Sequence, residues 1–309
     1  AQEIAFTLQN AFTYVDAAVK SGLPLKDFVP RLSFFFNVHN HFFEEVAKFR
    51  VARKIYAEEM RRRFDAPPEI LGLRFHAQTA GSTLTAQQPL NNVTRVAYQA
   101  LAAILGGAQS LHTNSYDEAL GLPTEASALL ALRTQQILAE ETGIPAVADP
   151  MGGSHYLEDL CEKLEAKAMA LISEIDRRGG MLSCIEKGFV QREIQQAAYT
   201  AQLEIDRGQQ NIVGVNSYQM EEDEFKNIHT LNPKVGKEQI SRLKKFKSKR
   251  KSKAVEAALK KLQQEAQSLH DGAPAEVCES ILAAVNVNCS LGEIADAMRA
   301  VAGQYSANT

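Results

Sequence analysis

The sequence predicts an α/β fold, in which part of a barrel of parallel strands is followed by a mainly helical extension. Three short apolar segments, residues 31–36, 71–77 and 108–113, suit strands that are buried on both faces. Helical patterns separate them at intervals of about 35 to 40 residues, which is typical of parallel βα units with right-handed crossovers. After Pro123 the pattern is mostly helical. We therefore predict two parts, a barrel part over residues 1–122 and a helical extension over residues 123–309.

The helices are predicted from apolar residues that recur at helical spacing between charged ones. The first helix should end near Ser21-Gly22, a usual C-terminal signal. The second places Phe42, Val46 and Phe49 on one apolar side. Further helical segments are predicted at residues 92–105, 125–141, 157–177, 181–187, 191–206, 237–270 and 275–302, the last broken near 286–290, with an extended piece at 211–216.

The start of the chain predicts that the barrel is incomplete. The first helical pattern begins directly at Ala1, with no Ser, Thr, Asp or Asn ahead of it to cap the helix. Three parallel strands cannot close into a barrel, and a sheet of that size leaves both of its edges open, which is an aggregation hazard. We therefore expect further strands on the N-terminal side.

Composition and charge exclude several classes of protein. The chain has 309 residues, 45% of them hydrophobic and 23% charged, which is typical of a globular protein with a sizeable core. No stretch approaches the roughly 20 apolar residues of a membrane span. The net charge of −3 gives no general attraction to nucleic acid or to an anionic membrane, and the four cysteines form no CxxC pair. We expect a cytoplasmic protein with no nucleic-acid or membrane partner.

All three predicted strands carry polar residues within them or just after them. The polar residues are Arg31, Ser33, Asn37, His39, Asn40 and His41 around the first strand, Arg74, His76, Gln78 and Thr79 around the second, and Gln109, Ser110, His112, Thr113, Asn114, Asp117 and Glu118 around the third. In parallel barrels the loops after the strands build the binding site. A polar side chain within an apolar sheet is costly unless it is hydrogen-bonded. These residues therefore either satisfy one another or line a site.

Three other motifs leave alternatives open. His39 and His41 form a His-x-His pair that could bind a metal in a barrel hydrolase, or could simply cap the turn after the strand. The Pro/Gly turn at residues 149–154 lacks the P-loop pattern, so a conformational role is the simpler interpretation. The basic run from Lys244 to Lys253 could contact RNA or an acidic partner, but a solvated helix face or linker is the simpler interpretation.

Several short segments form a specific combination that extends in order over nearly the whole chain. They are RLSFFF (31–36), RFHAQT (74–79), LTAQ (84–87), NN (91–92), GAQSLHTNS (107–115), LPT (122–124), DP (149–150), GGM (179–181) and IVGVN (212–216). In this combination the chain resembles the methylmalonyl-CoA mutase family of adenosylcobalamin-dependent acyl-CoA mutases. The resemblance is to the later part of the large, substrate-binding subunit.

The resemblance implies a TIM (β/α)8 barrel that is threaded by the pantetheine arm of a CoA ester, with adenosylcobalamin lying across the C-terminal ends of the strands. It places substrate contacts at Arg31, Ser33, Phe35, His76, Gln109 and Ser110, and cofactor contacts at Gln78, Asn114 and Glu118. An amide and a carboxylate, as in Asn114 and Glu118, can hold the two ribose hydroxyls of the adenosyl group. The implied reaction is a radical carbon-skeleton rearrangement, of methylmalonyl-CoA to succinyl-CoA or with isobutyryl-CoA or 2-hydroxyisobutyryl-CoA as the substrate.

The chain also departs from the family pattern. The Tyr-His pair and the carboxylate-binding Arg of the family belong to strands earlier than Ala1, so no catalytic residue is assigned here. No Asp-x-His-x-x-Gly cobalamin motif occurs, so a cobalamin-binding small subunit or domain is expected as a partner. We therefore expect part of an oligomeric isomerase that is inactive without its N-terminal barrel half. The alternative is a non-catalytic assembly subunit that docks a cobalamin-carrying partner.

Overall fold

A computed structural model describes residues 1–221, 225, 228–230 and 232–304 of the chain. These residues form two compact units, unit 1 within residues 1–230 and unit 2 within residues 232–304. The predicted parts, 1–122 and 123–309, divide the chain where the pattern changes from strands to helices. This division stays a prediction.

Unit 1 holds the strands, and unit 2 is helical over its described residues. The elements of unit 1 are α1 (Gln2–Lys20), α2 (Leu25–Phe28), β1 (Phe34–Val38), α3 (Phe42–Phe64), β2 (Phe75–Thr79), α4 (Asn91–Leu105), β3 (Ser110–His112), α5 (Glu125–Glu140), α6 (His155–Arg177), α7 (Gly180–Glu186) and α8 (Phe189–Asp206). Those of unit 2 are α9 (Lys234–Ser248), α10 (Ser252–His270), α11 (Val277–Asn286) and α12 (Leu291–Ala302). The predicted helices are confirmed to within a few residues, except that residues 237–270 form two helices.

The three strands pair in parallel in the order β1-β2-β3. Helices α3 and α4 connect them. This confirms the predicted alternation of strands and helices and the α/β class. Because side chains alternate along a strand, Phe34, Phe36 and Val38 point to one face and are buried there. Phe35 and Asn37 point to the opposite face and are exposed.

Each strand begins two to four residues further along the chain than predicted. Other local interactions take the place of strand pairing before these starts. Arg31 ends a 3-10 turn that contains Pro30, and proline lacks the N–H that a ladder needs. The expectation that Arg31 and Ser33 lie within the first strand is therefore wrong. Before β3, the side-chain oxygen of Gln109 accepts a hydrogen bond from the Phe75 N–H at 2.7 Å. In a paired strand, a backbone carbonyl would accept this bond.

The expected extended piece at residues 211–216 is a closed loop and not a strand. The side chain of Asn216 accepts the Ile212 N–H at 2.6 Å and donates to the carbonyls of Ile205 and Gln210 at 2.9 and 2.8 Å. A single isolated bridge joins Val213 and Ser217. The side-chain amide of Asn216 thus makes hydrogen bonds to backbone groups that a neighbouring strand would otherwise bond.

An aromatic cluster fixes the buried face of the sheet on α3. The ring of Phe49 on α3 lies 4.8 Å from Phe75 in a nearly parallel stack and 5.9 Å from Phe36 in an edge contact. All three are almost fully buried, and α1 and α6 pack on the outer side of α3. Offset and edge contacts between rings add to the free energy of burial and fix orientation, so the helix and the two strands form one rigid layer.

A buried ion network covers part of the outer edge of β1. The ammonium of Lys48 donates to the carboxylates of Glu3 and Glu45 and to the Asn37 carbonyl, at 2.5 to 2.7 Å. The other oxygen of Glu3 accepts the Asn37 N–H at 2.7 Å. Because alternate residues of a parallel strand pair to opposite sides, these are the groups that a further strand would engage. Blocking them with charges is a common protection of strand edges.

Unit 2 has a small core of its own, in which α10 packs against α11 and α12. Helix α12 begins with a capping box, since Ser290 and Glu293 each bond the backbone N–H of the other. The guanidinium of Arg250 forms a two-bond ion pair with Glu293 and holds the pKa of that carboxyl well below its usual range. In contrast, α9 buries no side chain.

Replacing Gly106 by alanine should destabilise unit 1. The new Cβ would lie 2.4 Å from Cδ2 of Phe49, inside the aromatic cluster. Overpacking of this kind costs about 1–3 kcal/mol. The matched control is Gly72→Ala, where no atom lies within 4 Å of the added Cβ. It should be neutral or stabilising by up to about 1 kcal/mol through the unfolded chain. Urea unfolding checks both, and equal effects would contradict the packing described.

Replacing Glu293 by glutamine should destabilise unit 2 in a pH-dependent way. Because the folded-state pKa of Glu293 is lowered, its contribution is present above the unfolded pKa of about 4.3 and is lost as pH falls toward the folded value. At pH 7 the variant should lose about 1 kcal/mol, the usual worth of a helix cap. Thermal unfolding of both proteins between pH 3 and 7 checks this, and a difference that grows on acidification would contradict it.

Candidate functional site

The more exposed face of the sheet carries two rows of side chains. Paired residues point to the same face, so Phe35, His76 and Ser110 form one row. The rings of Phe35 and His76 lie 5.1 Å apart, and Nδ1 of His76 is 2.7 Å from the Ser110 hydroxyl. The second row consists of Asn37, Gln78 and His112. The structure thus brings together three of the six predicted substrate residues.

The predicted cofactor residues meet at the C-terminal end of the strands. The side chain of Gln78 donates to Oδ1 of Asn114 at 3.0 Å, and the Asn114 N–H donates to the buried hydroxyl of Thr79 at 2.9 Å. Asn114 is 2% exposed, yet its Nδ2 has no partner among the described residues. An unsatisfied buried donor costs about 1–3 kcal/mol, so this one calls for a partner.

Gly81 leaves a small space beside this unpaired donor. A Cβ on Gly81 would lie 2.9 Å from Asn114 Nδ2 and 3.3 Å from Glu118 Oε1. A hydrogen-bond donor and a carboxylate acceptor therefore border the same space, which any larger residue at position 81 would fill. One hydroxyl group could accept from Asn114 while a neighbouring hydroxyl donates to Glu118, so a vicinal diol is a suitable occupant.

The loop that carries Asn114 and Glu118 is held from both ends. Before it, the Thr113 hydroxyl donates to the Ala131 carbonyl of α5 at 2.6 Å. In its middle, Nδ2 of the buried Asn92 donates to the Tyr116 carbonyl at 2.8 Å. Asp117, which is buried within the loop, accepts the N–H of Thr124 beyond the loop at 3.2 Å. The loop is fixed although it lies outside regular secondary structure, so the position of Asn114 is preorganised.

The remaining predicted substrate residues lie apart from these groups. Arg31 and Ser33 are exposed at the N-terminal end of β1, the opposite end from Asn114. Arg31 lies seven positions before Val38, the last residue of β1, and outside the strand itself. The amide of Gln109 is engaged by the Phe75 N–H and by the Gly107 carbonyl at 2.8 Å. The predicted residues are thus spread from the N-terminal to the C-terminal end of the sheet.

Two residues of the site were not predicted as substrate or cofactor contacts, although Thr79 was among the candidate polar residues around the second strand. Thr79 fixes the backbone of Asn114, and Gly81 provides the space beside its side chain. A glycine two residues after a strand that ends in polar side chains was the available signal, because glycine marks close approach of a ligand to the backbone.

The hypothesis of a metal site receives no geometric support from the described residues. His39 and His41 are exposed, and no cluster of three or more His, Cys, Asp or Glu side chains is placed to hold an ion in the part of the chain that the structure describes. Within the same residues, no helix combines the length and the apolar character that crossing a membrane requires.

The comparison with known proteins decides the family. The sequence model described as methylmalonyl-CoA mutase matches residues 1–304. The chain belongs to the methylmalonyl-CoA mutase family. Among similar family members, the 2-hydroxyisobutanoyl-CoA mutase large subunit of Aquincola tertiaricarbonis is 43% identical over 98% of this chain and 54% of its own length.

Two methylmalonyl-CoA mutases show a similar relationship. The mitochondrial enzyme of Mus musculus is 42% identical over 99% of this chain and 41% of its own length. The enzyme of Escherichia coli (strain K12) is 43% identical over 98% of this chain and 42% of its own length. The chain thus spans about half the length, or somewhat less, of these family members.

Replacing Thr79 by valine should destabilise unit 1 by about 1–3 kcal/mol, because the buried N–H of Asn114 loses its acceptor. Valine has nearly the same shape, so a packing defect is avoided. The matched control is Thr200→Val at an exposed position of α8, where a change within about 0.5 kcal/mol is expected. Urea unfolding measures both. A Thr79 variant as stable as the control would mean that the bond does not fix the loop.

Proposed function

We propose that this chain is the later part of the substrate-binding barrel of an adenosylcobalamin-dependent acyl-CoA mutase. The observation that carries the proposal is the buried, unpaired Nδ2 of Asn114, which borders the space above Gly81 together with Glu118. Membership of the family and the parallel βα order support it. In this proposal further strands, outside this chain, complete a TIM barrel.

The cofactor residues fit the adenosyl group by their donor set. Asn114 would donate to one ribose hydroxyl and Glu118 would accept from the other, which satisfies the Nδ2 donor that has no partner within the part of the chain that the structure describes. Gln78 holds the amide of Asn114 in the required orientation. Adenosylcobalamin would supply the radical chemistry of the rearrangement. The chain's own contribution is to bind and orient the ribose on a preorganised loop.

The substrate residues fit an extended ligand that runs along the strands. Arg31 at the N-terminal end would pair with a phosphate of CoA, and Ser33 would lie beside it. Exposed Phe35 would pack against the pantetheine arm, while His76 and Ser110, bonded to each other, would face the thioester with Gln109 nearby. This order places the reacting end of the substrate toward the cofactor residues.

The family members at about 43% identity bear on the substrate and on the partner. We propose methylmalonyl-CoA as the first candidate, with isobutyryl-CoA and 2-hydroxyisobutyryl-CoA as alternatives. One such protein is named a large subunit, which supports a separate cobalamin-binding small subunit as the partner here. We also propose that the protein is oligomeric and that it is located in the cytoplasm.

The decisive assay combines the protein with the missing barrel half, a cobalamin-binding subunit and adenosylcobalamin. Conversion of methylmalonyl-CoA to succinyl-CoA, followed by chromatography, is expected only in the complete mixture. The isobutyryl and 2-hydroxyisobutyryl esters are tested in parallel. A stable complex that binds cobalamin but converts none of the esters would instead support the alternative of a non-catalytic assembly subunit.

Replacing Asn114 by alanine, or Glu118 by glutamine, should lower kcat/KM of the reconstituted mutase about 10- to 100-fold, because each removes one hydrogen bond to the ribose. The matched control is Glu125→Gln at the exposed start of α5, which makes the same charge change away from the site. Its kcat/KM should equal that of the wild type. Activity that is insensitive to both site variants would remove the assigned roles.

A further inference from the structure

A second groove, of about 520 Å³, lies outside the proposed mutase site. It is bordered by the loop before α3, one side of the first two turns of α4, and the closed loop around Asn216. Its lining includes five residues that could contact a ligand, namely His41, Asn91, Arg95, Tyr98 and Asn211. We propose that this groove binds a phosphate-bearing small molecule of about nucleotide size. The proposal does not depend on the mutase assignment.

Arg95 gives the groove a buried positive charge with no acidic partner. Its side chain is 8% exposed and donates to Asn92 Oδ1 at 2.7 Å, the Thr85 hydroxyl at 2.9 Å and the Val213 carbonyl at 2.8 Å. All three acceptors are neutral, and none of the ion pairs among the described residues includes Arg95. No Asp or Glu lines the groove. A buried charge is costly without a counter-charge, and a bound anion would supply one.

The N-terminus of α3 is directed toward the same groove. His41 precedes α3, and no side chain caps that helix. The first N–H groups of α4, in contrast, already bond the carbonyls of residues 88 to 90. An uncapped N-terminus presents free N–H groups and a partial positive charge, which together favour phosphate. Of the acidic residues in the first turn of α3, Glu45 is paired with Lys48, and Glu44 is exposed and does not line the groove.

The groove is already formed and is larger than one phosphate. Its far wall is fixed by the three bonds of Asn216 and by the bond from Arg95 to the Val213 carbonyl. A volume of about 520 Å³ suits a small organic ligand. Tyr98 offers an aromatic surface for a planar group, and burial raises the pKa of its hydroxyl, which therefore stays protonated as a donor. Asn91 and Asn211 can bond the polar edges of such a ligand.

The phosphate belongs to a free nucleotide, and CoA is the control, because the proposed function places a phosphate of CoA at Arg31, at the opposite end of β1. Calorimetric titrations at low ionic strength would use ADP, adenosine and CoA. ADP is expected to bind at one site per chain and more tightly than adenosine, and saturating CoA is expected to leave ADP bound. Displacement of ADP by CoA would place ADP in the CoA site and overturn the groove as a separate site. Adenosine binding as tightly as ADP would overturn the proposal.

Asn91→Asp is the sharpest variant. A carboxylate in the first turn of α4 favours the helix, so the variant should unfold at the same temperature as the wild type or higher. The same charge faces the groove and should weaken ADP binding at least tenfold. Arg95→Gln should also lose binding, and Arg133→Gln on the exposed side of α5 should not. No binding of ADP at millimolar concentration, or equal affinity in the wild type and Asn91→Asp, would overturn the site.

Discussion

The contact between the aromatic face of the sheet and α3 is the constraint on which the site depends. Phe36 and Phe75 alternate with Phe35 and His76 along their strands, so fixing one pair against Phe49 necessarily turns the other pair outward. A slip of one residue would exchange the two faces and bury His76 in an apolar core. The polar rows therefore owe their position to apolar packing on the opposite side of the same strands.

The outward face exposes an aromatic ring among polar side chains. Phe35 is 54% exposed beside His76, and its backbone groups point to the edge of β1 that no strand among the described residues occupies. Glu3 and Lys48 satisfy the neighbouring Asn37 but leave the Phe35 position open. Under the proposed function, an extended acyl-CoA and further strands would cover this surface together; the chain spans about half the length of its family members, or somewhat less.

The sequence predicted the features that depend on local chemistry. The end of α1 at Lys20, just before Ser21-Gly22, and the parallel order of the strands followed from spacing and turn residues. The strand starts did not, because a side-chain oxygen of Gln109 replaces a backbone carbonyl and because Pro30 shifts the first pairing. The resemblance supplied Asn114 and Glu118, but only the structure shows that Nδ2 of Asn114 has no hydrogen-bond partner among the described residues. The groove at Arg95 was not predicted either, since Val213 lies 118 positions further along the chain.

Asn92 links the two polar regions of unit 1. It is fully buried on α4, and its Oδ1 accepts from Arg95 and from the Thr85 N–H. Its Nδ2 donates to the Thr85 carbonyl and to Tyr116, which stands between Asn114 and Glu118. With all of these bonds made, the amide cannot rotate without leaving buried groups unpaired, a cost of about 1–3 kcal/mol for each group. The loop that carries Asn114 and Glu118 and the buried guanidinium of Arg95 are therefore supported by the same side chain, so a change in the position of either is resisted by the other.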